Sequence, residues 1–413
     1  LKTSKPWQLV ALLSATATAG YICRVNVSTA GALMMDEFNL SQVDMGRLFS
    51  SFLLGYALFQ IPAGALADRF GTKRVLSIAV WLWVLLTVSQ ALIGWSNWEF
   101  SVTTVIIVFV LLRFLLGISA SPTYPASALG VSQWVPAIFQ GRANGFVIGS
   151  VGLGSAIAPP LVSGIMVNWG WQMALLVSAL PALIIAIVWQ RMKVPDKMVT
   201  GPSDKKAPSS SINKLKNKSF YLLSISYGLQ GYVGYIFVSW FYLYLVQVRH
   251  FSLLSGAWMS SLPWVLSIVS IPLGGYISDK LIGTRLGVWG GRIVPMIGMG
   301  MSGILISIGA HTSSAIIAAI TLAFATAFVL CVEGPFWAMM IRIAGGRSGT
   351  AGGIMNMGSN LGGLLSPMLT PWIAVYIGWE YALHIAAALA IISALLWLGI
   401  SPANKSDQSQ KSA

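Results

Sequence analysis

The chain has 413 residues, 56% of them hydrophobic and only 9% charged, where an ordinary soluble domain has about a quarter charged. That excludes a water-soluble globular fold and makes lipid the solvent. A formal charge of +14 would point to nucleic acid in a soluble protein, so the meaning of the 25 basic residues depends on where they lie.

Apolar stretches of about 20 residues, enough to cross the hydrocarbon core, recur along the whole length, and twelve are expected. The first, from about Trp7 to Met34, is too long for a signal-peptide core and is expected to be retained. It carries Arg24, with Tyr21 three residues earlier on the same helix face. Tyr56 lies in the middle of the second, and the fourth, from about Ser101 to Ala128, carries Arg113. At 1.5 Å per residue both arginines fall within about 6 Å of the middle of their spans. A charge at that depth costs on the order of 2.5 kcal/mol or more, which makes each arginine a candidate for function. A guanidinium stays protonated and offers a planar fork matched to carboxylate or phosphate. Two forks at one depth, with no acidic residue of this half beside them, are expected to form an anion cradle. Gly145 and Gly149 form a small-x-x-x-small pair of the kind that lets helices approach closely.

A charged, Pro- and Ser-rich stretch over 191–218 interrupts the apolar pattern at mid-chain, with six spans expected on either side. The expected organisation is a six-helix bundle over 1–190, a cytoplasmic linker over 191–218, a second bundle over 219–401 and a cytoplasmic tail over 402–413. In the second half, Tyr232 and Tyr235 lie three apart in span seven, and Asn356 and Asn360 four apart in span eleven. Both pairs are candidate substrate contacts, and the asparagines serve equally well as hydrogen-bonding glue between helices. Gly358 and Gly362 form a second small pair. Glu333, in span ten beside Pro335, is the one carboxylate placed well inside the membrane, about 8 Å from the span centre. Membrane-buried carboxylates serve as proton relays, so Glu333 is the candidate coupling site. Gly298 to Gly303 fits a dinucleotide fingerprint, but no strand precedes it and it lies inside an apolar span, so it is set aside. Cys23, Cys331 and three scattered histidines give no disulfide framework, no metal site and no cofactor.

The two halves repeat one another. Gly170-Trp171-Gln172-Met173-Ala174-Leu175 recurs 208 residues later as Gly378-Trp379-Glu380-Tyr381-Ala382-Leu383, and Gly154 and Pro159 match Gly362 and Pro367 at the same offset. The segment Gly64 to Arg69 returns as Gly275 to Lys280, with Asp279 in the place of Asp68. Such parallel repeats belong to transporters that bind substrate near the bilayer midplane. The basic residues alternate with the spans: with a cytoplasmic N-terminus, the charges outside the spans lie on the inner side except for Arg47 and Arg249. That is the positive-inside pattern; it places both termini in the cytoplasm and accounts for the charge without a nucleic-acid partner.

Gly64-Ala65-Leu66-Ala67-Asp68-Arg69-Phe70-Gly71-Thr72-Lys73-Arg74, between spans two and three, resembles the signature loop of the major facilitator superfamily. Tyr21-x-x-Arg24-x-Asn26, Gly55-Tyr56 with Gln60 and Pro62, Arg113 to Gly117 followed by Pro122 and Pro125, and Gly352-Gly353-x-x-Asn356 resemble its anion:cation symporter branch. That branch includes hexuronate, galactonate and phthalate permeases, sialin and the vesicular glutamate carriers. The resemblance implies an all-α polytopic membrane protein, twelve transmembrane helices in two pseudo-symmetric six-helix bundles. It also implies substrate contacts from Tyr21, Tyr56 and an asparagine near Asn356, and a conformational latch from Gly64, Asp68, Arg69, Gly71, Arg74 and Asp279. One departure bears on mechanism: relatives carry a protonatable glutamate seven residues after the span-four arginine, where this chain has Ala120.

The expected function is secondary active transport of a small organic anion, a carboxylate such as a sugar acid, by alternating access with a co-transported cation, H+ or Na+. The setting is a bacterial cytoplasmic membrane, with lipid as the surrounding partner and the chain acting as a monomer. Alternatives are an organophosphate or anion exchanger, a facilitator without proton coupling, and a transporter-like ligand sensor. An enzyme is disfavoured because no nucleophile and base pair, or metal cluster, is present.

Overall fold

The computed structural model describes residues 4–95, 101–136, 139–192, 217–286, 289–344 and 348–401, and these are helical almost throughout. In chain order the helices are α1 (Ser4–Phe38), α2 (Gln42–Phe70), α3 (Thr72–Ile93), α4 (Val102–Ala120), α5 (Thr123–Trp134), α6 (Gln140–Arg191) and α7 (Lys218–Ser239). Then come α8 (Phe241–Leu243), α9 (Leu253–Ile282), α10 (Gly290–His311), α11 (Ala315–Cys331), α12 (Glu333–Ala344), α13 (Ser348–Tyr376) and α14 (Trp379–Leu396). A π-helical turn, Tyr244–Val248, follows α8. Most of the expected linker and all of the expected tail over 402–413 lie outside the described residues.

Among the described residues nine helices are long and apolar enough to cross a membrane, and α7 with Phe241–Val248 makes a tenth span bent by 53°. The 52 residues of α6 are two crossings joined at Gly170, whose φ of 79° suits a residue without a Cβ. At 29 residues, α13 is long enough for the twelfth. The interior is built for lipid outside: large residues such as Ile61 (85% exposed), Ile107 and Ile268 face outward, while alanines and serines fill much of the helix-to-helix contact.

Side chains mark where helices start. Ser41 and Asp44 form a reciprocal capping box on α2, and the Ser101 and Ser314 hydroxyls accept from backbone amides in the first turns of α4 and α11. Spans four and ten are broken at matching places. The first stops at Ala120 and resumes at Thr123 beyond Ser121-Pro122; the second stops at Cys331 and resumes at Glu333. Backbone carbonyls freed at the first break are taken up by side chains, Ser121 Oγ on Ile118 O at 2.7 Å and Thr123 Oγ1 on Ala120 O at 2.7 Å.

Contacts divide the chain into two units, Leu1–Pro202 with Val238–Val265, and Ser203–Phe237 with Leu266–Ala413. In the first, α1 packs along α6, α2 along α4, and α3 along α6. The segment Val238–Val265 belongs to this unit although the sequence counts it in the second half. Its Trp240 ring stands 5.3 Å from Phe49, and Ser261 Oγ donates to Ala156 O at 2.7 Å. In the second unit α10 packs on α14 and α11, and α13 on α14 and α12.

The glycine pairs divide. A Cβ at Gly362 would overlap the carbonyl oxygen of Gly228, and one at Gly358 would come within 3.1 Å of Ser224 O, so α7 and α13 touch backbone to backbone. Gly145 and Gly149 instead face open space, and the matching close approach in the first unit is made by Gly154 against Thr18 of α1. Spacing alone shows that a pair shares a face, not whether another helix lies against it.

Candidate functional site

In the first unit the site is built from α1, α2, α4 and α5. Arg24 of α1 is half-buried, and its Nη1 donates to the Tyr21 hydroxyl at 3.1 Å. The centre of its guanidinium lies 5.0 Å from the Tyr21 ring, 4.9 Å from Phe52 and 5.8 Å from Tyr56, all within cation–π range. Tyr124, in the first turn of α5 just past the helix break, hydrogen-bonds Tyr21 and lies close to Tyr56 and Arg24. The structure therefore brings Tyr21 and Tyr56 to Arg24 as expected and adds Phe52 and Tyr124.

Arg113 of α4 stands behind this group. It is 2% exposed, with Nη1 donating to the main-chain oxygen of Arg24 at 3.2 Å and Nη2 to Asn26 Oδ1 at 3.4 Å. Asn26 passes the chain on to α6, donating to Ser178 Oγ at 2.9 Å. The two forks are layered rather than side by side: Arg24 is half-buried among the aromatic rings, and Arg113 holds the turn of α1 that carries it. The reason is that the buried guanidinium turns its two Nη groups to the nearest acceptors, a backbone carbonyl and an amide, while its Nε is left without a partner.

In the second unit the expected residues lie on the helix pair α7 and α13. Tyr232 is buried with its hydroxyl 3.3 Å from Thr370 Oγ1, and Asn360 is buried. Tyr235 and Asn356 are half-buried, and the Tyr235 ring occupies the space a side chain at Gly363 would need. Glu333 opens α12. Its Oε2 accepts from the Tyr227 hydroxyl at 2.8 Å, and Gln230 and Trp337 also hydrogen-bond the carboxylate.

A family model described as Major Facilitator Superfamily matches residues 11–366 and 289–413. The chain belongs to the major facilitator superfamily. This facilitator is 29% identical to a probable sulfoacetate transporter of Cupriavidus necator, over 92% of its own length and 90% of that protein's. It is 28% identical to a probable galactarate/D-glucarate transporter of Bacillus subtilis (96% and 92% covered) and 28% to a hexuronate transporter of the same organism (91% and 90%). In fold it is similar to an inward-facing, unoccupied bacterial homolog of the human lysosomal transporter Spinster, with TM-score 0.79 at 18% identity, covering 98% of this chain and all of that one. A D-xylose-proton symporter follows at TM-score 0.76 and 18% identity, with 96% and 98% covered. The protein is a multi-pass membrane transporter and not an enzyme.

The facilitator's signature loop lies at the end of α2. Gly71 has a φ of 80° and separates α2 from α3, Gly64 packs 3.7 Å from the Pro125 side chain of α5 when given a Cβ, and Asp68, Arg69 and Arg74 are exposed. Asp279 is exposed at the matching place in α9. Sequence reasoning missed Tyr124, Tyr227, Gln230 and Trp337. The repeat held the signal for two of them, since Tyr21 and Arg24 shifted by 206 residues fall on Tyr227 and Gln230.

Proposed function

We propose that this facilitator moves a small organic anion, a carboxylate such as a sugar acid, across the bacterial cell membrane by alternating access coupled to a cation. The observation that carries the reading is the half-buried Arg24 guanidinium of α1 held among Tyr21, Phe52, Tyr56 and Tyr124. Aromatic faces hold the cation in place, and its fork is matched to a carboxylate. The relatives, named for sulfoacetate, galactarate, glucarate and hexuronate, support an acidic substrate.

In this reading Arg24 binds the anionic group, with Tyr21, Tyr56 and Tyr124 donating hydrogen bonds, and Arg113 positions α1. Tyr235 and Asn356 are the more accessible substrate contacts of the second unit, with Tyr232 and Asn360 behind them. Glu333 supplies the coupling carboxylate that Ala120 removes from span four. Gly64, Asp68, Arg69, Gly71, Arg74 and Asp279 act as the latch that sets the rate of conformational exchange, and both termini are cytoplasmic.

The test is uptake into proteoliposomes of labelled hexuronate, galactarate, glucarate, galactonate and sulfoacetate, with imposed pH or sodium gradients. At least one acid should accumulate, and Arg24→Ala should abolish its uptake while leaving the melting temperature within a few degrees of the parent. Undiminished uptake by that variant would remove Arg24 from the anion site and the reading with it.

A further inference from the structure

The acids for which the relatives are named differ in charge. Hexuronate carries one carboxylate, galactarate and glucarate carry two, and sulfoacetate carries a carboxylate and a sulfonate. The charges built into the helices that bear the proposed substrate contacts separate these classes.

In the first unit those helices are α1, α2, α4 and α5. Beyond their first and last two turns, the charged residues they carry are Arg24 and Arg113. Arg113 is committed: one Nη donates to the Arg24 carbonyl, the other to Asn26 Oδ1, and its unpartnered Nε is shut in with the rest of a group that is 2% exposed. An anion pairs with it only after those two bonds are given up. Arg24, half-buried against the rings of Tyr21, Phe52 and Tyr56, is the guanidinium that meets a substrate. The first unit therefore supplies one counter-charge.

The second unit supplies none on its contact helices. Lys218 at the first position is the one charged residue of α7, and α13 contains no charged residue along its 29. What this pair offers is neutral: the Tyr232 hydroxyl 3.3 Å from Thr370 Oγ1, buried Ser359 and Asn360, and half-buried Tyr235 and Asn356. Phenols, alcohols and amides both give and accept hydrogen bonds and so match the hydroxyls of a polyol. The adjoining α12 opens with an acidic residue, Glu333, and its Arg342 is exposed in the last turn. A second carboxylate or a sulfonate brought among these groups would lose its water with no cation to replace it, a far larger cost than that of burying a hydroxyl on a hydrogen-bond partner.

We propose that the substrate carries a single anionic group on an otherwise uncharged, hydroxyl-bearing body, as hexuronate and galactonate do, and that doubly charged acids are excluded. The inference rests on the organic-anion reading above and narrows it. The one carboxylate pairs with the Arg24 fork, and the hydroxyls replace water on neutral groups. Selectivity of this kind comes from a missing partner rather than from size. Galactonate and galactarate differ only at the last carbon, an alcohol in one and a carboxylate in the other, so shape hardly separates them and charge does.

The experiment compares initial uptake rates of labelled galactonate, glucuronate, galactarate, glucarate and sulfoacetate into proteoliposomes of the purified protein, at neutral pH where every carboxylate is ionised. The kcat/KM of the better singly charged acid should exceed that of each doubly charged one by at least about tenfold. In Asn356→Arg, which adds a cation to the second unit, the galactarate-to-galactonate ratio should rise. The proposal is overturned if galactarate, glucarate or sulfoacetate comes within tenfold of the better singly charged acid in the parent protein, and the organic-anion reading then stands without it. Uptake of none of the five acids defeats that reading, and the proposal falls with it.

Discussion

A guanidinium inside a membrane-spanning helix must be surrounded by groups that replace water, and the two arginines of the first unit are provided for in different ways. Arg24 lies against ring faces, and its Nη1 donates to the Tyr21 phenol. Arg113 donates to a backbone carbonyl and an amide and is closed off. Arg24→Lys keeps the charge and loses the fork, so we expect KM for the transported acid to rise by about 10- to 100-fold, the equivalent of about 1.5–3 kcal/mol for a charge-assisted hydrogen bond. The melting temperature should hardly move. Arg113→Ala should instead lower the melting temperature clearly, because it opens a cavity in the packed helices and removes the Arg113 hydrogen bonds to the Arg24 carbonyl and to Asn26 Oδ1, which keeps only the Val27 amide. Paired uptake and thermal-unfolding measurements separate the two, and equal effects of both substitutions in both readouts would contradict the layered arrangement. Depth in the membrane made both arginines legible from sequence, as was the tyrosine three residues away. The layering was not, because helical spacing gives the face of a residue along its own helix and says nothing of which neighbour covers it. Tyr124 escaped for a related reason: it lies on a different helix from Tyr21, and the pattern along one helix does not show which residues of another reach it.

At the scale of helices, the close pairs are what sequence pattern finds least reliably. Gly358 and Gly362 sit against α7, while Gly145 and Gly149, with the same spacing, face open space. Gly362→Ala should therefore lower the melting temperature by several degrees, since overpacking costs about 1–3 kcal/mol. Gly149→Ala should be neutral or slightly stabilising, because alanine lowers the entropy of the unfolded chain by the equivalent of about 0.4–1 kcal/mol. Fluorescence-detected unfolding of both variants decides the point, and equal loss in the two would mean that Gly149 has a neighbouring helix after all. Helix identity was legible almost everywhere, because about 20 apolar residues in lipid leave the backbone no other way to satisfy its hydrogen bonds. The breaks in spans four and ten were flagged only by Pro122 and Pro335, and a proline inside a membrane helix does not by itself say whether the helix stops.

At the scale of the molecule, duplication explains most of what the sequence reveals: two six-span halves, a repeated Gly-Trp turn, a repeated acidic loop. The grouping of Val238–Val265 with the first unit was hidden, since chain order cannot show that Trp240 stands against Phe49 of α2 and that α8 packs on α1. The charge asymmetry predicts orientation: in intact cells an impermeant maleimide should label a cysteine introduced as Arg249→Cys, and should label Lys197→Cys only after the membrane is permeabilised. Labelling of Lys197→Cys and not of Arg249→Cys in intact cells would reverse the assignment; Cys23 is buried and contributes little background, and the half-buried Cys331 is replaced beforehand. The turns at Gly170 and Gly378, with φ of 79° and 118°, join consecutive crossings through a single left-handed residue. Between those helices the surface offers almost no loop, so a tag or reporter domain inserted there would have to unwind membrane helix to fit. Insertions are better placed in the long polar stretch at mid-chain, and an antibody fragment raised to the other face has little at these two corners to grip.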